Sequence, residues 1–364
     1  MRKMRKKRDY KPDRVIRLIL VFVVGLFSIW ASPRIPFQTI DQARAASQEN
    51  VFLPVALNGI ILEDSPSPSP PPSYDGWLSY LNYYRSLAGL LPVAENKSWA
   101  EGSWYHSRYM VKNDHVGHGE DPGNLWYTPE GDLAAQSSNL VASNSLAASD
   151  NYAIDSWMQA PFHALYILNP ALEQVGFGSF REEDGGLQMG ATLDVLRGQG
   201  DLQASVNYPI LWPGDGATVP IGSHWGEYPN PLSSCEGFTG LTGLPILMQL
   251  GQGDITPYLT AHSIQEGKTI LEHCIFDETS YQNSDTAAQE LGRGILNARD
   301  AVVLIPRNPL KPGASYTVSI TANGVKYTWS FEVAAQPSQV DTLSGSITVE
   351  FLIPEAGMMG PPSR

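Results

Sequence analysis

Residues 157–178 read WMQAPFHALYILNPALEQVGFG and join two kinds of element. Pro161 favours the start of a short apolar helix, because its missing N–H costs nothing in a first turn. Asn169-Pro170 follows that helix, and a glycine-punctuated run then has the pattern of a strand. His163 falls in the first turn of the helix. Two interpretations stay open for it: the ring packs in a core, or it lines a site.

The neighbouring sequence predicts a mixed helix and strand domain. Two amphipathic helices open it, and Asp75 is expected to cap the first. Residues 113–150 are expected to form a long turn-rich stretch, after which Asp150 caps the helix that leads to Pro161. The runs QVGFGSF and LQMGATLDVL then alternate like two strands on either side of a turn at Asp184-Gly185.

The first 45 residues are predicted to direct export. A basic segment precedes the apolar run LILVFVVGLFSIWA, and Ala43-Arg44-Ala45 fits a cleavage site. A signal anchor remains the alternative to a cleaved signal peptide, although the run is shorter than the roughly 20 residues of a membrane span. Residues 46–73 are predicted to hold a short apolar segment and the Pro/Ser-rich linker SPSPSPPPS. The chain is therefore expected outside the cytoplasm, touching the membrane only through its N-terminal segment.

Charge and cysteine content agree with export. Residues 1–45 carry a net charge of +8, whereas residues 46–364 carry −21. So acidic a surface repels nucleic acid and anionic lipid headgroups, which disfavours both as partners. The chain has two cysteines, Cys235 and Cys274, which are predicted to form a disulfide in an exported protein.

Three stretches carry a resemblance to a known family. They are LNYYRSLAGLLPV at residues 81–93, the mid-chain His118-Gly-Glu-Asp-Pro-Gly, and the stretch quoted first. Together they resemble the bacterial branch of the CAP superfamily, the cysteine-rich secretory, antigen 5 and pathogenesis-related type 1 proteins. The resemblance covers residues 74–197. It implies an α-β-α sandwich with a cleft that in many members contains two histidines and two glutamates, sometimes with a divalent metal.

Carried over to this chain, the two cleft histidines are His118 and His163. The glutamates do not carry over, because Ser138 and Ala160 stand at their places. The resemblance therefore implies a ligand cleft without a required cofactor, in which the two histidines hold zinc weakly. The residues assigned to this cleft are His118, His163, Ser138, Asn139 and Glu120. Of the other histidines, His115 is interpreted as a solvated loop residue and His106 as a core residue.

Residues 203–334 are predicted to be all short strands. The strongest signal is Asn323-Gly324 between two alternating runs, which is typical of a β-hairpin. The region resembles bacterial immunoglobulin-like domains, and residues 200–335 are expected to fold alone, braced by the disulfide. The tail, residues 335–364, contains one strand-like run, GSITVEFL.

Three functions are compatible with these features. The preferred one is an exported or cell-surface protein whose CAP domain binds a small extracellular ligand or envelope component, with the second domain as a spacer or adhesion module. The ligand classes left open are a lipid, a peptide and a weakly held metal. Catalysis is not required. The first alternative is a metal-assisted envelope hydrolase or protease in which His118 and His163 hold a cation and Glu120 or Glu130 is the base. The second is a structural wall protein with a vestigial cleft.

Overall fold

The computed structural model describes residues 75–183, 186–335 and 349–352, the last four by their backbone only. All of them belong to one compact unit. The predicted export signal, the linker and the Asp184-Gly185 turn lie outside the described residues. No helix within the described ranges has the length and apolar character needed to span a membrane.

The first region is α+β, with helices packed on a mixed sheet. Its strand order is β1-β3-β4-β2-β16, and only the β1–β3 pair is parallel. Its elements are α1 (Asp75–Leu87), β1 (Ala94–Glu95), α2 (Lys97–Asn113), α3 (Pro129–Ser137), β2 (Ser138–Ser143), α4 (Asp150–Met158), α5 (Pro161–Ile167), β3 (Gln174–Arg181), β4 (Met189–Asp194) and the C-terminal β16 (Val349–Leu352).

Two of the quoted motifs have clear structural roles. In α1, the Asn82 side-chain amide bonds the backbone of Val93 in both directions, at 3.0 and 2.8 Å, which fixes the chain after the helix. In β3, side chains at Gly176 or Gly178 would collide with α2. The glycines therefore let α2 lie directly on the sheet.

Arg85, also from the first motif, is buried, and its guanidinium donates to backbone carbonyls that follow α1 and that lie at the end of α5. Its Nη1 lies 2.6 Å from Ile167 O and 3.0 Å from Asn169 O, and its Nε lies 2.8 Å from Leu91 O. Burial lowers the pKa of the guanidinium to about 10. A cation at the C-terminal end of α5 complements the helix dipole, so Arg85 holds one end of the quoted helix.

Two expectations about the first region are wrong. Residues 113–150 are not only turns, because they contain α3 and β2. The buried face of α3 consists of small residues, which leave no apolar periodicity to detect. The N-cap of α4 is Ser149, whose side chain accepts from Tyr152 N, and Asp150 is the first helical residue.

The second region is mostly β, with several antiparallel sheets. One sheet has the order β11-β10-β14-β15-β6, another β12-β13-β9-β5, and β7 pairs β8. Its elements are β5 (Ile210–Trp212), β6 (Thr218–Val219), β7 (Ser223–His224), a short 3-10 helix (Pro231–Ser234), β8 (Thr242–Gly243), β9 (Ile246–Gln249), β10 (Leu259–Glu266), β11 (Thr269–Ile270), β12 (His273–Phe276), α6 (Thr286–Asn297), β13 (Ala301–Pro306), β14 (Ser315–Ala322) and β15 (Val325–Val333).

The all-strand expectation for this region is wrong at α6. Asp285 caps that helix by accepting from Ala287 N and Ala288 N. The predicted hairpin is confirmed: β14 and β15 pair antiparallel around Asn323 and Gly324, which have φ values of 51° and 79°. Positive φ at both turn positions is the geometry that Asn-Gly favours. The disulfide between Cys235 and Cys274 is present.

The two regions share one hydrophobic core. Tyr84 of α1 packs on Trp212 with ring centroids 5.5 Å apart, and Phe162 of α5 packs on Tyr281 at 5.2 Å. Arg299 Nε donates to Leu165 O at 2.9 Å. The tail also returns to the first region, where β16 pairs β2. This shared core argues against the expectation that residues 200–335 fold alone.

Candidate functional site

His163 lies in the first turn of α5, as predicted, and is fully buried. Its Nδ1 lies 2.7 Å from Oε2 of Glu227, and both side chains are 0% exposed. The same carboxylate accepts from Phe162 N at 3.1 Å and from His163 N at 3.2 Å. Ala160 at the N-cap offers no side-chain hydrogen bond. Glu227, from the second region, therefore supplies both the cap of α5 and the partner of its histidine.

Glu227 belongs to a short stretch, Ser223–Glu227, that we call the crossing segment because three of its five residues, His224, Trp225 and Glu227, contact the first region. The ring of His224 places Nδ1 3.0 Å from Gln159 O. Trp225 N donates to Gln159 Oε1, also at 3.0 Å. Gln159 sits between α4 and α5, so the crossing segment binds the junction of these helices with both backbone and side chains.

Burial controls the electrostatics of the crossing segment. It raises the pKa of the Glu227 carboxyl, an effect that the hydrogen bond and charge of His163 oppose. Burial also lowers the pKa of His224 to about 4, and repulsion from His163 adds to that shift. His224 is therefore neutral at pH 7. Since a carbonyl only accepts, its Nδ1 carries the proton that is donated to Gln159 O.

Ser138 and Asn139 begin β2 and are fully buried. Asn139 Nδ2 donates to His163 O at 3.1 Å, which brings this residue against the quoted helix as the cleft assignment requires. Within the described ranges, Asn139 Oδ1 and Ser138 Oγ have no hydrogen-bond partner. Buried oxygens of this kind are costly unless something donates to them, so they are candidate contacts for a ligand or for water.

His118 is half-buried and held by α3. Its Nδ1 lies 2.6 Å from Ala135 O at the end of that helix. Asn139 follows α3 by two residues and reaches His163, so the same part of the chain supports both histidines. That the two rings face one cleft stays a prediction.

Glu120 pairs with a histidine other than the one assigned to the cleft. Its Oε1 lies 3.0 Å from His106 Nδ1, and its Oε2 accepts from Thr128 N at 2.9 Å. The interpretation of His106 as a buried core residue is confirmed. His115 is exposed, as expected of a loop residue, and Glu130 is exposed in the first turn of α3.

A metal site with the usual number of protein ligands does not fit these residues. In the part of the chain that the structure describes, no group of three or more His, Cys, Asp or Glu side chains is arranged to hold an ion. His118 Nδ1 and His163 Nδ1 are both hydrogen-bonded within the protein. Zinc sites in proteins usually have three or four protein ligands. Weak binding by His118 and His163 alone stays a prediction.

Comparison with known proteins agrees with the first region's architecture. The model of the cysteine-rich secretory protein family, CAP, matches residues 78–190. Residues 78–190 form a CAP domain. The match lies within the range inferred from the three motifs, and a β-rich region follows it. The search among curated proteins found no match.

The sequence did not reveal Glu227, His224 or Gln159 as parts of this site. The crossing segment reads SHWGE and lies in a region interpreted as strands. Glu227 is 64 residues from His163 along the chain, so no local period or spacing links the two. One signal was available. The CAP domain lacks both expected glutamates, so an acidic partner of His163 has to come from outside that domain.

Proposed function

We propose that this chain is an exported or cell-surface protein whose CAP domain binds a small extracellular ligand without catalysis. The β-rich region acts as an immunoglobulin-like spacer or adhesion module, and the CAP domain belongs to the bacterial branch. Secretion is typical of the CAP family, and a disulfide suits an oxidising compartment. Both features support export.

The pair of buried oxygens at Ser138 and Asn139 carries the proposal of ligand binding. Asn139 Oδ1 is an acceptor only, and a ligand that presents N–H or O–H groups satisfies it. This chemistry favours a peptide or another polar small molecule over a lipid chain or a weakly held metal. Because both side chains are fully buried, a ligand that contacts them has to be enclosed by the protein and is expected to stay bound through purification.

The pairing of the histidine and glutamate side chains favours binding over hydrolysis. A general base must come within hydrogen-bond reach of the substrate. His163 and Glu227 are both 0% exposed and are hydrogen-bonded to each other. Glu120 is likewise buried against His106. A structural protein with a vestigial cleft is also compatible with this pairing, and the experiment below separates the three functions.

Native mass spectrometry of the full chain, purified from the cells that produce it, tests the proposal. We expect one organic adduct per chain, which Asn139→Leu removes because leucine lacks the acceptor at similar size. Asn207→Leu is the matched control, since Asn207 is exposed and distant in sequence. Stoichiometric zinc without an organic adduct would instead support the hydrolase, and neither species would support the structural protein.

A further inference from the structure

Two histidines of the β-rich region meet at the edge of two sheets. His262 lies on β10 and His273 at the start of β12. His262 Nδ1 is 2.8 Å from His273 Nε2, and the ring planes are 84° apart. His262 is exposed and His273 is half-buried, so solvent reaches the pair. Neither residue belongs to the CAP domain or contacts the crossing segment through any hydrogen bond described above.

The orientation of His273 suits a metal ligand. Its Nδ1 lies 2.8 Å from Leu271 O, and because a carbonyl only accepts, this nitrogen carries the proton. In the neutral ring, Nε2 then bears the lone pair that faces His262. Metal-binding histidines commonly donate their second ring N–H to a backbone carbonyl in this way.

Regular pairing holds both histidines in place. His262 pairs with Ile320 in the β10–β14 ladder, and His273 pairs with Pro306 in the β12–β13 ladder. The next residue, Cys274, is fixed by its disulfide to Cys235. Ligands on paired strands keep their geometry better than ligands on loops.

The separation of the two nitrogens is compatible with one class of ion. Two imidazole nitrogens about 2.0 Å from an ion lie about 2.8 Å apart at a right angle, and about 3.3 Å apart at a tetrahedral angle. The observed 2.8 Å is the length of the hydrogen bond between the rings, and it is also the spacing of a right-angled pair of ligands. We propose that His262 and His273 form a two-imidazole site for a cation that prefers square-planar nitrogen coordination, Cu²⁺ above all and Ni²⁺ after it.

Binding requires a tautomer change at His262 and a small turn of the two rings. The proton between the rings moves from Nδ1 to Nε2 of His262, so that both facing nitrogens offer a lone pair. The ion then lies beside the line that joins these nitrogens, and water completes the coordination. The ion then links the sheet of β10 to the sheet of β12. It binds the folded state and is therefore expected to raise the melting temperature in proportion to its occupancy.

Titration of the purified full chain with CuCl₂, followed by calorimetry and by electron paramagnetic resonance, tests this site. We expect one Cu²⁺ per chain with two nitrogen ligands, bound more tightly than at the other histidines, and we call this the tight site. His262→Ala and His273→Ala should each weaken it by more than about tenfold. Thermal unfolding without metal checks that both variants fold, which their partial exposure favours.

His118→Ala and His163→Ala are the matched controls, and the tight site should survive in both. Loss of the tight site in either control, with retention in His273→Ala, would place the ion in the CAP cleft and overturn the proposal. Absence of a tight site in the unchanged protein would overturn it as well. Neither result bears on the organic adduct, so this test is separate from that of the proposed function.

Discussion

Two buried histidine–glutamate pairs can be compared in this molecule. His106 and Glu120 lie 3.0 Å apart inside the CAP domain and are 14 residues apart in sequence. His163 and Glu227 lie 2.7 Å apart and are separated by 64 residues, with one member in each region. All four side chains are 0% exposed. The same chemical pair is a local brace in one place and a link between regions in the other.

The surroundings of the two carboxylates explain the difference. Glu120 accepts from Thr128 N, the residue that caps α3, and so organises the loop in which it lies. Glu227 accepts from the first two free amides of α5, a helix whose own N-cap offers no side chain. The CAP domain thus relies on the β-rich region to complete its quoted helix, whereas the brace at Glu120 needs nothing from outside.

Removing the β-rich region should disrupt the CAP domain more than any single substitution does. A fragment of residues 74–197 exposes the core faces of Tyr84 and Phe162 and leaves the α5 amides without Glu227. We expect it to lose cooperative thermal unfolding and fixed aromatic packing, as measured by near-ultraviolet circular dichroism. A fragment that melts cooperatively at the temperature of the whole chain would show that the regions are independent.

The substitution Glu227→Ala should cost about 3 to 5 kcal/mol of unfolding free energy, because removing one member of a buried pair leaves its partners unsatisfied. Glu227→Gln keeps an acceptor for the amides and should cost about 1 to 2 kcal/mol. Urea unfolding measures both. Glu236→Ala is the control, since Glu236 is exposed in the same region. If all three substitutions had equally small effects, Glu227 would not stabilise the contact between the two regions.

His224 should make stability depend on pH. Its pKa of about 4 lies below the ordinary 6.5, so the unfolded chain binds a proton before the folded chain does. This contribution is therefore present above pH 6.5 and is lost as pH falls toward 4, by about 3 kcal/mol. The raised pKa of Glu227 changes the stability in the opposite direction as pH falls, and the variant His224→Asn keeps this effect.

Urea unfolding at several pH values, on the unchanged protein and on His224→Asn, isolates the histidine. Asparagine keeps a donor for Gln159 O but does not titrate, so the variant should lose less stability between pH 6.5 and 4. Parallel curves for the two proteins would mean that the pKa of His224 in the fold is close to its ordinary value.

The substitution Glu120→Ala should affect the smallest part of the structure, although it lowers the unfolding free energy by about 2 to 3 kcal/mol. His106 Nδ1 and Thr128 N lose their acceptor, and both lie in the CAP domain. Amide hydrogen exchange should become faster around α3 and at the end of α2, and it should stay unchanged in β9 and β13. A rise in those strands would mean that the two pairs do not differ as argued.

Local patterns predicted the elements that have strong local signals. The helix at Pro161, the strands around Gly176 and Gly178, and the Asn323-Gly324 hairpin are all confirmed. Each depends on a period or on a turn residue that acts over a few positions. By contrast, α3 buries small residues such as Ala134 and Ala135, so its periodicity is weak in a turn-rich stretch.

The candidate site was only partly predictable, because only some of its residues belong to local motifs. His163 and Asn139 were found through motifs, and the structure joins them through the hydrogen bond from Asn139 to His163 O. Glu120 was assigned to the cleft because it follows His118, yet its carboxylate pairs with His106. Glu227 depends on how two regions pack, which no spacing within either region encodes.

Hydrogen exchange of Glu227→Ala, measured by mass spectrometry beside Glu120→Ala, tests the central claim most directly. If Glu227 links the regions, its loss should accelerate exchange at Phe162 and His163 as well as in the crossing segment, while Glu120→Ala leaves both unchanged. If exchange in Glu227→Ala rises only within Ser223–Glu227, and the amides of α5 stay as protected as before, the carboxylate does not hold the CAP domain to the β-rich region.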